Sequence, residues 1–204
     1  TKNNTKFLKK NEIFLCDSGG QYKFGTTDVT RTICFTNQTK KIKNIFTNVL
    51  KGHIAVVKTD LNKKKTGRLI DIEARKFLKK DDLDYNHGTG HGVGFFLNVH
   101  EGPQAIAKQN SVKIQNGMIL SNEPGYYKKG KFGIRIENLI YANKVRNKLI
   151  FKNLTLAPIE KDLINFDLLT KKERNYIFNY HLEVYSKLSP FLNKKEKKWL
   201  ASII

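Results

Sequence analysis

A chain of 204 residues with 39% hydrophobic and 11% aromatic content can bury one sizeable core, which excludes a generally disordered protein. No run approaches the roughly 18 apolar residues of a membrane span, and the lysine-dotted start has no signal-peptide core, so no membrane association is expected. The formal net charge of +20 invites a nucleic-acid partner, but the lysines cluster at turns and helix boundaries without interleaved aromatics or a zippered basic helix, so nucleic acid is not expected either.

Residues 1–10 are polar and turn-like. IFLCD then reads as a buried strand ending at Asp17, SGG and KFG as turns, and TTDVTRTICF as the next strand. If the two strands are adjacent and antiparallel, Asp17 and Asp28 become cross-strand neighbours on one face. Cys16 and Cys34 lie in these apolar runs and are expected as buried thiols in a reducing compartment, which points to the cytoplasm. A single bridge between neighbouring strands is the alternative.

Apolar residues recur at helical spacing from Thr39 to Thr59, with Gly52 weakening the pattern, and a shorter amphipathic stretch covers Leu69 to Lys80. The run YNHGTGHGVGFFLNVHEGP follows. Glycines at 88, 90, 92 and 94 exclude a regular helix there, so His87 and His91 are not a helical metal pair. An extended chain nevertheless puts them on one face. GMILSNEPGYY reads as a strand into a Pro-Gly turn, with Glu123 just before Pro124. In FGIRIENLIYA, Ile134 and Ile136 point one way while Arg135 and Glu137 point the other. The polar face is aimed at something charged, or it forms an exposed Arg135 salt bridge. After LTLAPIE, the segments ERNYIFNYHLEVYSKLSPFL and NKKEKKWLASII read as two closing helices whose aromatic stripes are core or an oligomer contact.

Acids are scarce, 18 against 38 Lys and Arg, and most lie beside lysines. Asp17, Asp28, Glu123 and Glu137 lie instead in apolar or Gly-marked contexts, where an unpaired charge costs several kcal/mol. They are either ion-paired individually or share a cation, with His91 as a fifth ligand. Four carboxylates carry a charge that two divalent ions cancel and one does not. The donor set suits hard or borderline ions such as Mn²⁺.

DSGGQYKFGTTDVTRT, VLKGHIAV, LDYNHGTGHGVGFFLNVHEGP, SNEPGYYKKGKFGIRIEN and NYHLEVYSKLSPFL with Trp199 together resemble aminopeptidase P. This is the X-prolyl aminopeptidase family, which shares the pita-bread fold with methionine aminopeptidase and prolidase. The similarity runs from about residue 12 to the C-terminus and is closest to the large eukaryotic type. It implies an α+β fold with a curved, mostly antiparallel sheet and flanking helices. Residues 1–204 would form a single catalytic domain, with 160–204 a helical extension used in homodimerisation. The resemblance makes Asp17 a ligand of one Mn²⁺, Asp28 and Glu137 bridges of both ions, and His91 and Glu123 ligands of the second. Water held between the ions would be the nucleophile and Glu123 its proton shuttle. His87 and His100 would hold substrate carbonyls, and Arg135 would position and balance charge; His53 and His181 remain structural histidines. The implied substrates are peptides with proline in second position.

The family's large members carry two further domains ahead of the catalytic one. About a quarter of the catalytic domain, including a substrate-side His, has no counterpart here. Either this is the C-terminal piece of a cleaved enzyme, with the N-terminal piece the expected partner, or it is a partial stretch of the enzyme; the first is the favoured expectation. A dipeptide-specific prolidase and a non-catalytic pita-bread binding module are the alternative readings.

Overall fold

The computed structural model describes residues 7–95 and 98–204. Residues 1–6 of the polar leading segment, and residues 96 and 97 after the His-Gly run, lie outside the described residues. The chain opens with an antiparallel hairpin of β1 (Ile13–Tyr22) and β2 (Gly25–Cys34). The expected turn at SGG is instead part of β1, and the reversal falls at Lys23 and Phe24, between the paired residues Tyr22 and Gly25. Gly19 sits there for a steric reason: a Cβ would lie 2.8 Å from the Thr27 carbonyl oxygen across the ladder.

Thr39 caps α1 (Lys40–Val57) by accepting the Ile42 N–H, within one or two residues of the expected limits. α1 crosses α2 (Gly67–Lys79) at Gly52, where a Cβ would meet the Ala74 carbonyl oxygen at 2.5 Å. That close crossing explains a glycine inside an otherwise regular helix. The remaining strands are short: β3 (Gly90–His91), β4 (Ala105–Ile106), β5 (Ile119–Asn122), β6 (Gly125–Lys128), β7 (Phe132–Arg135), β8 (Asn138–Val145) and β9 (Lys148–Asn153). β3 pairs with β4, β6 with β7, and β8 lies between β5 and β9, all antiparallel. Phe46, Leu50, Ile70 and Leu78 of the helices pack with Ile106, Leu120, Ile134, Ile136 and Ile140 in one buried core.

Two closing helices form as expected, α3 (Lys171–Leu188) and α4 (Lys194–Ile203). Each opens with a capping box, Thr170 with Glu173 and Asn193 with Glu196. The aromatic stripe divides: Tyr176 and Tyr180 are buried, while Phe178, Phe191 and Trp199 are exposed. No described helix is long and apolar enough to cross a membrane.

The cysteine expectation fails. Cys16 is exposed and Cys34 half-buried, and both are free. They lie on a hairpin that is a sheet of two strands only. On the face shared by Cys16 and Arg31, the segment at Ala157 and Pro158 covers Arg31 and leaves Cys16 open.

Both structural histidines are held neutral. His181 Nε2 accepts the Ile159 N–H at 3.0 Å, and its pKa is lowered to about 4 by burial and then by Arg31. His53 is fully buried, and burial depresses it to about 3. A folded-state pKa below the unfolded value of about 6.5 means that the unfolded chain binds the extra proton first, so stability falls as pH drops below about 6.5. The loss of unfolding free energy between pH 7 and pH 5 should shrink by about 2 kcal/mol in His53→Leu. Urea denaturation at the two pH values measures this, and an unchanged loss contradicts it.

Candidate metal centre

The β1–β2 register pairs Asp17 with Thr30 and Gly19 with Asp28. Asp17, Thr30 and Asp28 therefore share one face, the two aspartates as diagonal rather than directly opposed neighbours. His91 ends the short β3, Glu123 follows β5, and Glu137 lies between β7 and β8. Ile134 and Ile136 are fully buried in the core, which turns Arg135 and Glu137 toward the acids.

Ligand atoms of Asp17, Asp28 and Glu137 lie within 4.8 Å of one another, as do those of His91, Glu123 and Glu137. Asp28, His91 and His100 form a third such group. His91 Nε2 is 3.4 Å from both Asp28 Oδ2 and Glu123 Oε1, and its ring stacks on His100 with centroids 3.9 Å apart. Nδ1 of His91 donates to the Gly92 carbonyl at 2.9 Å, which leaves Nε2 facing Asp28 and Glu123. The five expected metal residues thus converge, and His100 joins them at ligand distance.

Arg135 serves the cluster from one side. Its guanidinium pairs with Asp17, donates to the Thr30 hydroxyl at 3.0 Å and to the Tyr127 hydroxyl at 3.1 Å, and lies 3.8 Å from Glu123. Tyr127 in turn lies 2.9 Å from Nε2 of His87. Nδ1 of His87 donates to the Gly88 carbonyl, so both nitrogens are engaged and the Tyr127 hydroxyl donates to Nε2. Sequence reasoning missed Tyr127, because its place beside Arg135 depends on how β6 and β7 pair. Thr30 and Ser121 were missed as well, although each stands two residues from a predicted ligand, the period at which strand side chains share a face.

The electrostatics of the cluster call for cations. Glu137 is pushed up to about 7 by burial and then by the charges of Glu123 and Asp28, against the Thr30 hydrogen bond. Glu123 is raised chiefly by burial, with His91, Ser121 and Arg135 opposing. Burial alone would lower His91, but the Asp28 hydrogen bond, the Gly92 carbonyl and Glu123 carry it above its ordinary value. A Glu137 raised in the folded state stabilises the fold only while protonated. That contribution is lost as pH rises through about 7, unless a cation compensates the charge. Arg135 supplies one positive charge against four acids. Four carboxylates and an imidazole, with no thiol among them, fit hard or borderline divalent ions.

The family model described as metallopeptidase family M24 matches residues 1–144, and one for the C-terminal region of this peptidase family matches residues 147–203. The chain belongs to metallopeptidase family M24. It is 46% identical to a probable Xaa-Pro aminopeptidase P of Laccaria bicolor, over 97% of this chain and 33% of the relative. It is 49% identical to an uncharacterized peptidase of Schizosaccharomyces pombe, over 93% and 34%. The X-prolyl aminopeptidase of Caenorhabditis elegans, described as a cytosolic enzyme with a di-nuclear active site, superposes with a TM-score of 0.88 at 41% identity, over 95% of this chain and 33% of that one. A Pyrococcus furiosus prolidase gives 0.66 at 28% identity, over 74% and 43%. This M24 chain spans about a third of the length of the curated relatives it matches. It carries part of the α+β pita-bread fold that the resemblance implied.

One buried ion pair underlies the His-Gly loop of this M24 site. Arg75 of α2 bonds Asp71, Asp84 and the carbonyls of Tyr85 and His87, all at 2.7–2.8 Å, with its guanidinium over the Tyr85 ring. Asp71 also accepts the Thr89 hydroxyl, and the Thr89 carbonyl accepts the Glu123 N–H at 2.8 Å. Arg75→Met leaves Asp71 buried without its cation and should cost about 3–5 kcal/mol of stability. Denaturant unfolding of the metal-free protein measures it, and a loss under about 1 kcal/mol contradicts this role.

Proposed function

We propose that this chain forms the dimetal centre of an Xaa-Pro aminopeptidase. One observation carries the reading: Asp17, Asp28 and Glu137 make one ligand triad, His91, Glu123 and Glu137 make a second, and the triads share a glutamate. Asp17 would hold one ion, Asp28 and Glu137 both, and His91 and Glu123 the other, with manganese the ion the donor set suits. When bound, the ions supply Lewis acidity that polarises a substrate carbonyl and activates water near neutral pH.

The rest is the work of the chain's own groups. Glu123 takes a proton and returns it to the departing proline nitrogen. Burial raises its pKa toward the working range for such a transfer. Its Oε1 accepts from Ser121, so Oε2 is the oxygen assigned to the proton. Arg135 holds Asp17 and, through Tyr127, the His87 ring. His100 borders a cleft of about 360 Å³ with Asp17, Asp28 and the hairpin residues Gly19 and Gly20. There His100, with His87, is assigned to the substrate carbonyls. A proline after the scissile bond offers no N–H, so recognition through carbonyl contacts and ring shape suits it.

Residues 1–204 are assigned to one catalytic domain, acting with the part of the relatives that this chain does not span, in the cytoplasm. Phe178, Phe191 and Trp199, 67%, 85% and 61% exposed, favour residues 160–204 as the contact between two copies.

The test is release of arginine from Arg-Pro-Pro by the purified protein, stripped of metal and reloaded with Mn²⁺. Turnover should require the ion and fall by about 10²–10⁴-fold in Glu123→Gln. Unimpaired Glu123→Gln would refute the shuttle, and cleavage confined to dipeptides would select a prolidase. Sedimentation of the same preparation should show a dimer that Trp199→Glu weakens; a monomeric wild type contradicts that assignment.

A further inference from the structure

Two glutamates of the cluster have partners to which the proposed chemistry gives no task. Thr30 and Ser121 are both fully buried. The Thr30 hydroxyl lies 2.6 Å from Glu137 Oε2 and accepts the Arg135 Nε–H at 3.0 Å. The Ser121 hydroxyl lies 3.1 Å from Glu123 Oε1 and accepts the His91 backbone N–H at 2.9 Å. A hydroxyl has one proton to give. In both cases an N–H donor already occupies the oxygen, and the proton is left for the carboxylate. An ionised carboxylate has no proton to give, so as a metal ligand each glutamate accepts from its hydroxyl.

The two hydroxyls differ in what else they join. Thr30 grips Glu137 at both ends, since its carbonyl also accepts the Glu137 N–H at 3.1 Å. It stands opposite Asp17 in the hairpin register and two residues from Asp28, so one short strand segment indexes three acids. Ser121 ties the β3 backbone at His91 to the glutamate that follows β5, so two residues on different strands move together.

We infer that Thr30 and Ser121 are positioning residues that hold the Glu137 and Glu123 carboxylates oriented for metal. This rests on the dimetal reading above. Neither hydroxyl touches substrate or takes a ligand position; each acts through the carboxylate it bonds. A purely structural role would tie them to folding, whereas a positioning role ties them to ion affinity.

Calorimetric titration of the metal-stripped protein with Mn²⁺ separates the two. Thr30→Val keeps the shape and removes the hydroxyl, Thr30→Ser keeps the hydroxyl, and Ser121→Ala tests the second glutamate. Thr30→Val and Ser121→Ala should each weaken Mn²⁺ binding by about 10–100-fold, with Thr30→Ser within about threefold of wild type. Melts of the metal-free proteins should show all three variants folded. Wild-type affinity in Thr30→Val and Ser121→Ala overturns the inference. So does equal weakening in Thr30→Val and Thr30→Ser, or an affinity loss that only follows lost folded protein. A wild type that binds no ion overturns the dimetal reading itself, and this inference with it.

Discussion

Carboxylates that are taken out of water and pressed together resist ionisation, and this chain gathers four of them around one histidine. Glu137 shows the tension most clearly, with burial and its acidic neighbours raising its pKa to about 7. Arg135 answers part of the charge by pairing with Asp17. On the dimetal reading cations would meet the remainder, and Glu137 is common to the two ligand triads. Ion binding would then relieve a desolvation cost that the metal-free site carries at Glu137.

The architecture reads as a means of delivering these charges. A hairpin supplies both aspartates on one face, three short strands present His91, Glu123 and Glu137, and α1 and α2 back them with the core. Short strands suit the task because His91, Glu123 and Glu137 each fall at or just beyond a strand end. Such an end needs anchoring, which buried polar groups supply: Arg75 under the His-Gly loop, and Arg31 behind the hairpin. Arg31 donates to the carbonyls of Thr30, Glu137, Ala157 and Pro158, and to Asn138 and Tyr180. That set ties the C-terminal region to the strand segment on which Glu137 depends, so this region is joined to the site and not merely appended to it.

Much of this was legible in the sequence. The acids stood out because their neighbours are apolar, and Ile134 and Ile136 gave the phase that turns Arg135 and Glu137 inward. The limits of α1 followed from periodicity, and the structure adds Thr39 as its cap. What escaped has physical causes. SGG looked like a turn because glycine also marks turns, whereas here it admits the Thr27 carbonyl across a ladder. Cys16 looked buried because its run is apolar, but a two-stranded hairpin leaves it uncovered. Tyr127 reaches Arg135 through the pairing of β6 with β7 and contacts His87, 40 residues away in the chain, and no local pattern encodes either.

The central claim is that two ions share Glu137, and anomalous scattering from crystals of the Mn²⁺-loaded protein addresses it most directly. The account predicts two manganese peaks flanking the Glu137 carboxylate, one on the Asp17 side and one on the His91 side. A single peak, or peaks lying outside the five-residue cluster, would contradict it.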